Sequence, residues 1–150
     1  MPFASNLADT PLDSASASPL ARLSPAVLGF YAVAVLFNLC LVAQVLTVGL
    51  AYFDAPAWWN LHVWLVRGYG GLALVLLVWV YWHPFPQRIR ALTVSLSGLL
   101  GLQFLTIHGP ALLPFPLAIF HPLVGFALFS ASTTLVHRVG AKPAPAPTRR

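Results

Sequence analysis

Four long apolar stretches, broken by short polar or proline-rich links, set the pattern of this chain. They run over about residues 26–51, 58–82, 91–107 and 117–137. Each reaches or approaches the roughly 20 residues a helix needs to cross a bilayer at about 1.5 Å rise per residue. Ser24-Pro25 is a start signal for the first, a capping side chain followed by proline in the first turn. Residues 83–90 form a basic, proline-broken link, and His108-Gly109-Pro110 ends the third run. The third is the shortest, and three crossings remain if it and the link after it do not form a span. The predicted fold is all-α, an up-down four-helix bundle integral to a membrane.

The apolar pattern stops short of both ends. Residues 1–23 are rich in Ala, Ser, Pro and Asp, and residues 139–150 in Pro, Ala and basic residues. Neither has periodicity, so residues 24–138 are expected to form the membrane domain between two flexible tails. Met1 to Asn6 offers neither the basic start nor the apolar core of a secretory signal.

Composition agrees with the pattern. Hydrophobic residues make up 59% and charged residues 7% of the chain, against about 25% charged in a soluble domain. Mean hydropathy is +0.81. The net charge of +5 is therefore no nucleic-acid signal, since its few charges lie almost entirely outside the apolar runs. Their placement sets orientation instead. Arg22, Arg88, Arg90, Arg138, Lys142, Arg149 and Arg150 fall on one side, and the other side's links hold only Asp54. By the positive-inside rule both termini are cytoplasmic, and an inner (cytoplasmic) membrane location is expected. Trp58, Trp59 and Trp64 mark the outer interface, and Trp79, Tyr81 and Trp82 the inner one.

With depth assigned, the polar residues gather near the outer face: Gln44 on the first helix, His62 and Arg67 on the second, Gln103 and His108 on the third, His121 on the fourth. Helices 2 and 4 are diagonal partners in an up-down bundle, so His62 and His121 face each other at similar depth. Two imidazoles in that relation suit one metal centre, and b-type haem is the bulky apolar one that suits a bundle core. Gly68, Gly70, Gly71, Gly98, Gly101 and Gly125 offer room for a macrocycle, and Arg67 an anchor for a propionate. His62 and Arg67 nevertheless lie about 140° apart around their helix, so Arg67 must reach around the core or serve another partner.

Each residue also has a plainer explanation. Gln44 and Gln103 suit interhelical hydrogen bonding, and the glycines suit close helix packing. His62 and His121 suit a membrane interface, His108 the end of its helix, and His83 and His137 the cytoplasmic ends. Other chemistry is poorly supplied. No carboxylate pair exists for acid–base catalysis, and no glycine-rich loop precedes a lysine. Met1 and Cys40 are the only methionine and cysteine, which argues against copper transport and internal disulfides.

The polar marks in order are Gln44 with Gly49, His62 with Gly68, Gln103, then His121-Pro122 with Gly125. In this the chain resembles a family of small bacterial four-helix membrane proteins of unknown function, over about residues 26–138. The resemblance implies Gln44, His62, Gln103 and His121 as motif positions and no established activity. A looser likeness, in fold and histidine placement, is to small membrane b-type cytochromes.

The leading expectation is a haem-binding electron-transfer protein, not an enzyme on its own. His62 and His121 would ligate the iron, with Arg67, Gln44 and Gln103 around the cofactor. Electrons would pass to or from quinone or a partner protein. The alternatives are an accessory or assembly subunit without a cofactor, and a metal-free quinone or lipid site. Membrane lipids are the expected partners in every case, nucleic acid in none, and oligomerisation is left open.

Overall fold

The computed structural model describes residues 24–109 and 116–141. The tail expected over 1–23 lies outside those residues, as do residues 142–150 of the tail expected over 139–150, whose residues 139–140 belong to the last helix. Four α-helices make up the fold: α1 (Pro25–Phe53), α2 (Trp58–Trp82), α3 (Gln87–His108) and α4 (His121–Gly140). A short 3-10 turn, Leu117–Phe120, leads into α4. All four, α4 with its turn, are long and apolar enough to cross a membrane. Leu39, Val45, Leu46 and Leu74 are exposed on the outside of the bundle, where water would make such a surface costly and lipid does not. The protein is a multi-pass membrane bundle.

Helix limits follow local chemistry. Ser24 Oγ accepts from the Val27 N–H at 3.4 Å, with Pro25 in the first turn of α1. α2 has the limits its apolar run predicts. α3 starts at Gln87, one turn before its apolar run, because Pro86 opens the helix and Ile89 is buried in the core. Its first turn is thus amphipathic, with Arg88 turned outward. α4 runs on to Gly140 because Val139 is buried as well.

Links of only a few residues join α1 to α2 and α2 to α3, so sequential neighbours are antiparallel. α1 and α3 each pack against both α2 and α4, which leaves α2 and α4 as diagonal partners. Phe30, Phe37, Leu76, Leu96, Leu128 and Leu135 form the fully buried centre. Phe37 meets the Tyr69 ring edge-on, with centroids 5.4 Å apart.

The two helical hairpins bury the same positions at a constant offset of 59 residues. Phe30, Ala34, Phe37, Leu41 and Thr47 of α1 match Ile89, Thr93, Leu96, Leu100 and Thr106 of α3. Tyr69, Ala73, Leu76 and Val80 of α2 match Leu128, Ser132, Leu135 and Val139 of α4. The bundle is an internal repeat, α1–α2 followed by α3–α4, about a pseudo-two-fold axis along its length.

A pair of hydrogen bonds from one side chain breaks the repeat. Asn38 Nδ2 on α1 donates to Ser132 Oγ at 3.2 Å and to Thr133 Oγ1 at 3.0 Å on α4. The matching residues at the α3–α2 contact, Ser97 and Ala73, form no such pair; Ser97 bonds its own helix at Thr93 O. Interhelical hydrogen bonds of this kind contribute on average about 0.6 kcal/mol in bilayers. Asn38→Ala is therefore expected to lower stability by ~0.5–1.5 kcal/mol in detergent unfolding, whereas Ser97→Ala leaves it within error.

Candidate functional site

At the end of the bundle where α1 runs into α2, Gln44, Thr47 and His62 form a cluster. Thr47 Oγ1 donates to Gln44 O at 2.8 Å, the back-bond that a buried threonine in a helix commonly makes. His62 Nδ1 lies 3.3 Å from Thr47 Oγ1 and 3.3 Å from Gln44 O. The Gln44 amide donates to His62 O at 3.0 Å and so staples α1 to α2. Trp59, one turn earlier, packs edge-on against the imidazole, centroids 5.4 Å apart.

The second hairpin builds the same cluster. Thr106 Oγ1 donates to Gln103 O at 2.7 Å and lies 2.8 Å from His121 Nδ1. Gln103 Nε2 is 2.9 Å from His121 Nε2. In both hairpins the histidine follows the glutamine by 18 residues and the threonine by 15. The repeat therefore places His62 and His121 on diagonal helices at the same level of the bundle.

Proton counting fixes the tautomers. Each threonine hydroxyl has one proton and spends it on a glutamine carbonyl, so toward the imidazole it can only accept. Nδ1 of each histidine must then carry the proton, and Nε2 keeps its lone pair. On His121 that lone pair accepts from the Gln103 amide. The Oε1 atoms of Gln44 and Gln103 are both buried and without a hydrogen-bond partner among the described residues.

The two glutamines differ in reach for a visible reason. A Cβ at Gly125 would sit 3.3 Å from Gln103 Nε2, so the glycine leaves room for the amide beside His121. The repeat counterpart of Gly125 is Val66, and the Gln44 amide turns to a backbone carbonyl instead.

The structure thus brings together Gln44 with His62 and Gln103 with His121, but not Arg67. Arg67 is exposed, with its guanidinium 5.3 Å from the Trp64 ring centroid. Asp54 accepts from Trp58 Nε1 at 2.8 Å and is not its partner either. His108 bonds Phe104 O of its own helix at 3.0 Å and is exposed, as expected for a residue at the end of α3. The expectation of space from glycines fails for Gly68, Gly71, Gly98 and Gly101. They are exposed, and a Cβ at any of them would meet nothing, so they lie on the outer surface of the helices. Among the described residues no three His, Cys, Asp or Glu side chains converge.

An apolar pocket of 280 Å³ borders the second cluster, lined by Leu102, Leu105, Thr106, Leu117, Phe120, Leu123 and Val124. Thr106 is thus both a wall of the pocket and the partner of His121 Nδ1. In the first hairpin the positions of Leu117 and Leu123 are taken by Trp58 and Trp64.

Thr47 and Thr106 are the site residues that depth and residue type did not pick out. The signal was present in the chain: Gln-x-x-Thr followed 15 residues later by His, twice.

No curated protein and no solved structure matches the chain. Residues 44–109, which hold Gln44, Thr47, His62, Gln103 and Thr106, match the family model of DUF6220, a family of unknown function.

Proposed function

We propose that this protein is a b-type haem protein of the inner (cytoplasmic) membrane, in which His62 and His121 would hold the iron. It exchanges electrons with a quinone or a redox partner protein, and both its termini are cytoplasmic. The observation that carries the reading is the contact of each histidine's Nδ1 with a buried threonine hydroxyl that itself donates to a glutamine carbonyl, from which the Nδ1–H tautomer is assigned. Metal-bound histidines characteristically donate the second ring N–H to a carbonyl or similar acceptor, which fixes ring orientation and raises basicity. Here Thr47 with Gln44 O does this for His62, and Thr106 for His121. Both Nε2 atoms are left as lone-pair donors, which fits the demand of haem iron for neutral imidazoles.

Bound haem would supply one-electron redox chemistry at a potential set by its ligands and by the low polarity around it. The chain's own residues hold and orient the rings. For ligation, Gln103 must release His121 Nε2, and the space beside Gly125 lets its side chain turn. The apolar pocket beside Thr106 supports a lipid-soluble electron donor or acceptor, because it brings such a molecule next to a ligand histidine from the α3–α4 side.

A second reading, an accessory subunit without cofactor, is favoured by one contact: the Gln103–His121 pair also ties α3 to α4. Absorption of the protein purified after haem-supplemented expression separates the two. A low-spin Soret spectrum is expected, with His62→Ala and His121→Ala each losing haem or turning high-spin. A colourless wild-type protein, with His121→Ala merely lowering thermal stability, would establish the accessory reading instead.

A further inference from the structure

A second polar site lies at the opposite, basic end of the bundle, in the groove between α2 and α3. Tyr81, Gln87, Arg90 and Ser95, with Ala91 and Val94, line an open cleft of 370 Å³ there. Arg90 is half-buried, and its Nε is buried with no hydrogen-bond partner. Asp54 is the one carboxylate among the described residues, and it is bonded to Trp58 at the other end. An arginine with a desolvated, unbonded N–H and no acid at its own end among the described residues is suited to an anion from outside. The cleft also takes in the first turns of α3, where the helix dipole adds positive potential.

The repeat shows that this cleft is not a by-product of the architecture. Its counterpart, between α4 and α1, has Gly140, Leu28, Tyr31 and Leu36 at the places of Tyr81, Gln87, Arg90 and Ser95. There Tyr31 lies over Gly140, its Cε2 only 3.2 Å from where a Cβ would be. One hairpin interface thus seats an aromatic ring on a glycine, with apolar neighbours. The other keeps an open basic cleft in the same place.

We infer that the α2–α3 cleft binds the phosphate group of an anionic phospholipid, with Arg90 as its principal contact. Gln87, Ser95 and the Tyr81 hydroxyl are the further hydrogen-bonding groups, and Arg88 in the same turn adds charge. A lipid is the fitting source of the phosphate because the cleft opens on the outer surface between two membrane-spanning helices. Ala91 and Val94 on its wall suit the start of an acyl chain, and basic clefts between such helices are where anionic headgroups settle. This site is independent of the haem reading.

The test is thermal unfolding of the full chain in neutral detergent with added phosphatidylglycerol, phosphatidylcholine or soluble glycerol phosphate. Phosphatidylglycerol is expected to raise Tm saturably, and the other two, at matched concentration, to leave it unchanged. Arg90→Gln should weaken that response about tenfold, the scale of one charge-assisted hydrogen bond, and the exposed Arg88→Gln much less. Arg90→Tyr combined with Ser95→Leu installs the residues the other hairpin carries at these places. It should fold, by circular dichroism, yet lose the response, and it decides the matter if Arg90→Gln fails to fold. An equal response to phosphatidylcholine, or one undiminished in the Arg90 variants, overturns the site. A full response to glycerol phosphate overturns the lipid and leaves a free-anion site.

Discussion

Phe37→Ala is expected to be the most destabilising single substitution in the bundle interior, at ~2–3 kcal/mol. Phe37 is 0% exposed, lies near the middle of α1, and sets its ring edge-on against Tyr69. In a soluble core a Phe→Ala change costs about 3–5 kcal/mol, part from lost transfer out of water and part from the cavity left behind. In a bilayer the transfer part falls away, because a separated helix presents its phenylalanine to hydrocarbon rather than to water. The cavity part and the lost aromatic contact remain. Phe37→Leu, which installs the residue found at the matching position Leu96, should cost well under half as much. The two variants are compared by thermal or denaturant unfolding in the same detergent. Equal losses for alanine and leucine would mean that the cavity is not what matters at this position.

Thr106→Val is expected to weaken haem binding about 10–100-fold, the usual cost of removing a partner that orients a metal-bound histidine. Valine keeps the shape of the threonine while removing the acceptor for His121 Nδ1–H, so the helix should persist and the ring lose its anchor. Thr47→Val should have the smaller effect, because Gln44 O remains 3.3 Å from His62 Nδ1. Haem titration of the purified apo-protein gives both numbers, and a shift in the reduction potential accompanies them as the ligand loses basicity. A Thr106→Val protein that binds haem like the wild type would remove the threonine from the site, even if haem itself is bound.

The spans were legible because some twenty apolar residues in a row have few alternatives. α2 even keeps its limits, Trp58 and Trp82. The start of α3 was less so. Arg88 and Arg90 look like a loop when judged by polarity, and only the burial of Ile89 between them puts them in a helix. Gln44, His62, Gln103 and His121 stood out by residue type and depth, and the structure groups them as two pairs. Thr47 and Thr106 did not stand out, since a threonine in an apolar helix has many bland roles and only its neighbours give it one here. Arg67 shows what helical angle can do: a residue about 140° around from His62 lies outside the bundle, over Trp64. The repeat is hard to see in the chain because its core positions keep apolar character rather than identity, as in Phe30 with Ile89 or Tyr69 with Leu128.

That the repeating unit contains two spans has a consequence for how such a chain is made. A segment that crosses the membrane and comes back ends on the side where it began. A tandem copy is then threaded in the same direction and meets the same leaflets at the same residues. Copying one or three spans would have turned the second unit upside down, sending its histidine to the opposite face. Only an even unit lets a fused duplicate bring two matching imidazoles to one level, so the placing of His62 and His121 at one end of the bundle needed no later change of topology.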